Sequence, residues 1–280
     1  MLTERKTGIS TKFNDLCAET FFRYSEAGIT AFEISVELLQ HDMLDLSSIC
    51  RMAKNEGVDT WSYHLPFYPF EVLNPASSDK SVRDHTAEYF SALISRAAQN
   101  GFKYAVIHPS GEPVEAEERN TALEYSRETL FALAEVSRKN GIILAVEDLP
   151  RTCLGNCSRE IRYLTDIHPD LKVCFDVNHL LFESHSDFIK AVGDRIATVH
   201  ISDYDFINER HWLPGEGKID WIKLISDLDN AGYDGVFMYE VPKSAKNITR
   251  LSPLTPADYA KNHESLKRGI IPPPLGKPNI

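Results

Sequence analysis

The chain is short of positive charge. Its 30 Lys and Arg stand against 41 Asp and Glu, a net charge of −11. That balance supplies no broad basic face for a phosphate backbone and argues against nucleic acid as a partner. Long hydrophobic runs are missing too. No stretch approaches about eighteen consecutive apolar residues, so no membrane span is expected. The opening MLTERKTGIS has no apolar segment of secretory type. The five cysteines, at 17, 50, 153, 157 and 174, are odd in number and scattered, and no second cysteine pair completes a zinc site. Reduced thiols and a cytoplasmic location are expected. Nucleotide cradles of the GxGxxG or GxxxxGK[ST] type are absent, and so is a GxSxG elbow.

What is present is globular. Hydrophobic residues make up 42% and charged residues 25% of 280, which excludes a disordered chain. Short apolar runs at 29–36, 61–65, 104–108, 142–147, 171–176, 196–201 and 236–241, with a weaker one near 7–13, alternate with helical patterns. The patterns at 79–100 and 116–140 carry apolar residues three to four apart and stop at Gly101 and Gly141. Shorter ones lie at 219–230 and 257–268. Such alternation predicts βαβ units on a parallel sheet. Eight units fit a single (β/α)8 TIM barrel over 1–280 (α/β class), with an extended, surface-lying tail at about 270–280.

Titratable residues close seven of the eight apolar runs: Glu33, His64, His108, Glu147, Asp176, His200 and Glu240. In a parallel barrel these positions form one mouth, where several strands build a site together. Glu147, Asp176, His200 and Glu240 are the sharpest subset. Three converging carboxylates repel unless a cation sits among them. With one imidazole they suit a single divalent ion such as Mn²⁺, Co²⁺, Mg²⁺ or Zn²⁺. Arg151 and Arg195 are the nearest basic residues. His64 and His108, on neighbouring strands, are read as substrate contacts together with Glu33. Asp176-Val-Asn-His179 places His179 just past the sixth strand, as a further contact or a capping residue.

The loop at 202–217 is longer than an ordinary βα connection, and its Pro214-Gly215-Glu216-Gly217 turn lets backbone approach a ligand. It is expected to carry His211 and Trp212 on a pocket wall. Phe67, Tyr68 and Phe70 are either pocket wall or rim packing. Gly155-Asn156-Cys157-Ser158 opens a helix, capped by Asn156 or Ser158, with backbone amides able to hold a phosphate as the lesser alternative.

The ordered set AVIHPS, LAVEDLP, CFDVNHL, VHISDYD, HWLPGEGKIDW and MYEV resembles the xylose isomerase-like barrel superfamily, in its sugar phosphate isomerase/epimerase branch. The resemblance runs over nearly the whole chain. It implies that Glu147, Asp176, His200 and Glu240 bind one divalent metal, that Glu147 and Glu240 act as acid and base, and that His179 and His211 contact the sugar. Ketose 3-epimerases of this branch commonly have arginine where His211 stands. The implied reaction is isomerisation or epimerisation of a sugar, sugar phosphate or keto-sugar through a metal-stabilised enediolate. Type IV AP endonucleases share the barrel and use three metals, and His64, His108, Glu147, Asp176, His179, His200 and Glu240 all have matching ligand positions there. VEDLPRTCLGN and CFDVNHLLFES depart from that family's signatures. Another metal-dependent keto-sugar lyase or dehydratase, or a non-catalytic sugar-binding barrel, remains an alternative, and homo-oligomerisation is left open.

Overall fold

The computed structural model describes residues 5–279. Eight parallel strands close a barrel: β1 (Thr7–Thr11), β2 (Ala31–Ile34), β3 (Asp59–His64), β4 (Tyr104–Ile107), β5 (Ile143–Glu147), β6 (Lys172–Asp176), β7 (Ile196–Ile201) and β8 (Phe237–Tyr239). Each pairs with the next in sequence, and β1 pairs with β8 to close the ring. The helices are α1 (Ala18–Glu26), α2 (Leu38–His41), α3 (Leu46–Asn55), α4 (Lys80–Gln99), α5 (Arg119–Asn140), α6 (Ser158–Thr165), α7 (His185–Val192), α8 (Trp221–Asn230) and α9 (Pro256–Lys267). The (β/α)8 fold and the expected strand positions are both present.

Two apolar layers explain why the strands read as short hydrophobic runs. One face packs against the helices. Phe32, Ile34, Phe175, Val199 and Ile201 join a core that includes Phe21, Phe90, Leu130, Leu164 and Phe188. The other face fills the barrel. Ala31, Trp61, Val236 and Met238 cluster at one level and Val106, Ala145 and Cys174 at another. At the carboxyl ends of the strands the inward positions turn polar, and the site begins there.

The long helices end as their sequence predicts. Gly141 takes φ 71° after α5, a left-handed position that glycine adopts without a Cβ penalty. Asp79 caps α4 by accepting from the Ser81 amide at 2.8 Å. The start of α6 differs from expectation. Its N-cap is Cys157, with no side-chain cap bond. Glu160 accepts from the Gly155 amide at 2.9 Å, and Glu183 accepts from the Ser158 amide. Internal carboxylates therefore occupy the amides that a phosphate would need.

The C-terminal tail is paired chain. β9 (Ile248–Arg250) and β10 (Gly276–Pro278) form an antiparallel pair. The tail also lies on the 202–217 loop: a Cβ at Gly215, where φ is 93°, would sit 2.3 Å from the Pro272 carbonyl oxygen. Arg195, read from sequence as near the strand ends, lies at the opposite end of β7, where its guanidinium meets the Leu171 carbonyl and Asp166. The five cysteines are free. Among the described residues no helix is long and apolar enough to cross a membrane.

Candidate functional site

His64, Glu147 and Asp176 are the last residues of β3, β5 and β6. His108 and Glu240 follow β4 and β8 directly, and His200 is one residue short of the end of β7. Register sets Asp176 beside His200 and Glu147 beside Cys174. Parallel pairing thus delivers these side chains to one mouth.

They converge on His200. Its Nδ1 lies 3.1 Å from Glu147 Oε1, 3.2 Å from Glu240 Oε2 and 3.9 Å from Asp176 Oδ2. Ligand atoms of Glu147, Asp176, His200 and Glu240 all fall within 4.8 Å of one another. Asp176 Oδ1 accepts from the Asn178 amide at 2.8 Å, while Asp176 Oδ2 is buried with no hydrogen-bond partner. A buried carboxylate oxygen that makes no hydrogen bond, with the His179 imidazole at 3.4 Å and two more carboxylates and His200 around it, is an environment a divalent cation satisfies. The residues present fit such an ion.

The electrostatics agree. Burial, followed by Glu240 and Glu147, pushes the Asp176 carboxyl up to about 7, although His179 and His211 pull it down. Burial also acts to raise Glu147 and Glu240. There the imidazoles win: His200 and His108 hold Glu147 well below the carboxylate range, and His200 does the same for Glu240. Burial opposes charge on His200, yet the surround of Cys174, Glu33, Glu147 and Glu240 raises it well above an ordinary imidazole. His179, beside Asp176 and Glu209, is raised in the same way, so the carboxylates share more than one imidazole.

Two further donor groups flank this one. Glu147 Oε2 lies 3.0 Å from His64 Nε2 and 3.1 Å from His108 Nε2. His179, Glu209 and His211 form the other group. His179 Nδ1 faces the Asp148 carbonyl at 2.8 Å, and its Nε2 stands 3.4 Å from both Asp176 and Glu209. A cavity of about 160 Å³ opens over these groups, with Phe67 stacked on His108 at 4.3 Å. A second cavity, of about 320 Å³, meets it at His211 and Glu240.

Arg151 crosses the rim of the smaller cavity. Its guanidinium is bidentate to Glu112, at 2.8 Å to each oxygen, and also reaches Asn208 and Glu209. Three loops are tied together by that one side chain. Arg151 and His211 both hold positive φ, 53° and 51°. For non-glycine residues that is uncommon and persists where surrounding contacts impose it.

The 202–217 loop folds around Asp203. This buried carboxylate accepts from the Gly215 amide at 2.8 Å, the Ile219 amide at 3.2 Å and the Trp221 indole at 2.9 Å. His211 faces the cavity, with Nδ1 3.1 Å from the Glu240 carbonyl. Trp212 turns the other way. It is 1% exposed and donates its indole N–H to the Lys246 carbonyl, so it holds the loop and lines neither cavity. An isolated antiparallel bridge to Asp203, with mutual backbone hydrogen bonds of 2.7 and 3.0 Å, fixes Trp212 there, and the left-handed backbone at His211 precedes it.

Glu33 is also absent from the cavity walls. It is fully buried behind His200. Residues that sequence reading passed over include Ser62, which donates to Glu33, and Asp148, whose carboxylate accepts from the Asp176 amide. Glu112 reaches the cavity from a loop, where no strand pattern marks it, and Glu209 reaches it from the 202–217 loop beside His211. Asp148 follows Glu147 directly, and that adjacency was its detectable signal.

A family model described as xylose isomerase-like TIM barrel matches residues 21–268. The uncharacterized protein MJ1311 of Methanocaldococcus jannaschii is 29% identical over 208 residues, 71% of this chain and 67% of that one. A probable endonuclease 4 of Mycoplasmoides gallisepticum is 25% identical over 204 residues, covering 65% of each chain. Among solved structures, a D-tagatose 3-epimerase-like protein superposes with a TM-score of 0.78 and 24% identity, covering 94% of this chain and 96% of that one. The chain belongs to the xylose isomerase-like TIM barrel family.

Proposed function

We propose that this protein is a divalent-metal-dependent isomerase or epimerase of a sugar or keto-sugar, with the whole chain working as one barrel. The observation that carries the reading is the meeting of Glu147, Asp176, Glu240 and His200 Nδ1 around one point, with Asp176 Oδ2 making no hydrogen bond. The likeness to a D-tagatose 3-epimerase-like protein supports the same substrate class.

A divalent cation among these four residues supplies Lewis-acid polarisation of a carbonyl and its neighbouring hydroxyl. Glu147 and Glu240 approach from β5 and β8, on two sides of His200. Both stand ionised, with the neighbouring imidazoles holding them well below the usual carboxylate range. One removes the proton on the carbon beside the carbonyl, leaving an enediolate, and the other returns a proton. Return to the opposite face of that carbon epimerises it. Return to the adjacent carbon isomerises the sugar. His64 and His108 support Glu147, and His179 and His211 present imidazoles to substrate hydroxyls. Phe67, stacked on His108, gives the cavity an apolar wall.

A second reading, phosphodiester hydrolysis at a multinuclear centre, is favoured by one observation. Two additional donor groups, His64-His108-Glu147 and His179-Glu209-His211, adjoin the first. One experiment separates the two. Protein loaded with Mn²⁺, Co²⁺, Mg²⁺ or Zn²⁺ is incubated with a panel of ketoses in deuterated water and with abasic duplex DNA. Deuterium entry at carbon with intact DNA supports the isomerase. Nicking that falls steeply as salt rises, without deuterium entry, supports the hydrolase.

A further inference from the structure

Glu33 has no cavity to face, yet it is a carboxylate with 0% exposure. Its Oε2 accepts from His200 Nε2 at 3.0 Å and from Ser62 Oγ at 2.6 Å. The opposite ring nitrogen of the same imidazole, Nδ1, is the one turned to Glu147, Glu240 and Asp176. The His200 ring is itself fully buried. Each of its nitrogens therefore has one assigned direction: Nε2 toward the barrel interior, Nδ1 toward the mouth.

A neutral imidazole has one N–H and one lone pair, and the partner of the N–H decides which nitrogen keeps the lone pair. A carboxylate cannot donate, so Glu33 demands the proton on Nε2. Ser62 holds the accepting oxygen in place. We infer that Glu33 is a positioning residue, which fixes the His200 tautomer and ring plane so that the Nδ1 lone pair is offered to the cation. The inference rests on the metal-dependent reading above. It moves Glu33 from substrate contact to support of the imidazole ligand, and it accounts for a buried carboxylate that the proton-transfer chemistry does not use.

The test uses the full-length protein stripped of metal, with Mn²⁺ itself as the probe. Free Mn²⁺ is followed by electron paramagnetic resonance in wild type, Glu33→Gln, Glu33→Ala and Ser62→Ala, with circular dichroism and thermal melting confirming the fold. Loss of such a supporting carboxylate weakens metal affinity by about 10–100-fold. Glu33→Ala is expected in that range, with Glu33→Gln and Ser62→Ala weakened less. Turnover at saturating Mn²⁺ should recover in all three, because Glu33 touches neither substrate nor cation. Long-range ¹H–¹⁵N spectra of Zn²⁺-loaded wild type should show His200 protonated at Nε2 and ligating through Nδ1. That readout stands even if Glu33→Ala fails to fold. Equal Mn²⁺ affinity in wild type and in folded Glu33 variants, or ligation through Nε2, overturns the role of Glu33 alone. Wild-type protein that takes up neither Mn²⁺ nor Zn²⁺ overturns the metal reading and this role with it.

Discussion

The carboxylate of Glu216 and the guanidinium of Arg250 form a buried ion pair that fastens the site loop to the C-terminal strand pair. Arg250 Nε lies 3.0 Å from Oε1 and the second contact is 2.5 Å, with the side chains 6% and 0% exposed. Glu216 Oε2 also accepts from the Leu213 amide at 2.8 Å, inside the same loop. The loop that carries His211 is thus anchored from outside the barrel. Arg250→Ala leaves a buried carboxylate without its partner and should lower unfolding free energy by about 3–5 kcal/mol. Urea unfolding checks this, and a loss below about 1 kcal/mol contradicts the anchoring role.

His41 and His263 give the fold an acid-sensitive edge. Burial lowers each to about 4. His41 is held by Tyr63 and the Val36 carbonyl, and His263 by the Arg5 carbonyl. Unfolded, each titrates near 6.5. Between those values the unfolded chain binds more protons, so stability rises with pH across the window and is lost as pH falls from about 6.5 to about 4. Each histidine contributes on the order of 3 kcal/mol across that window. Melting temperatures between pH 7 and 4.5 should fall steeply for wild type and less steeply for His263→Gln. Parallel slopes would remove His263 from the account.

His211 and Trp212 are neighbours with opposite expected phenotypes. His211→Ala should reduce sugar turnover by about 10²-fold while metal content and melting temperature hold. Trp212→Ala empties a buried site and should cost about 3–5 kcal/mol of stability. Kinetics and melting of the two variants together decide it. A Trp212 variant that melts normally but loses turnover would return Trp212 to the pocket.

Most of the barrel was legible because most strands are short apolar runs, and seven of the eight carry a titratable residue at or beside the carboxyl end. The ends of α4 and α5 were legible from Gly101 and Gly141. What failed was direction. A strand-end position shows that Glu33 faces inward, but not that His200 stands between it and the mouth. Trp212 sits in a loop whose turn around Asp203 comes from long-range bonds to Trp221 and Ile219, which no local pattern announces. The pairing of β9 with β10 spans separated segments with weak strand character, so the tail read as extended chain. Glu209, Glu112 and Arg151 gain meaning only once three loops meet.

The most direct test of the central claim is solvent deuterium entry into the sugar, measured beside metal content, for Glu147→Gln, Glu240→Gln, Asp176→Ala and His200→Ala. The account predicts that both Gln variants keep much of their metal and lose exchange by about 10²–10⁴-fold. Asp176→Ala and His200→Ala should instead lose metal and recover partly when it is supplied in excess. Near-normal exchange in both Gln variants, or wild-type protein with no metal after metal-replete purification, would contradict the claim.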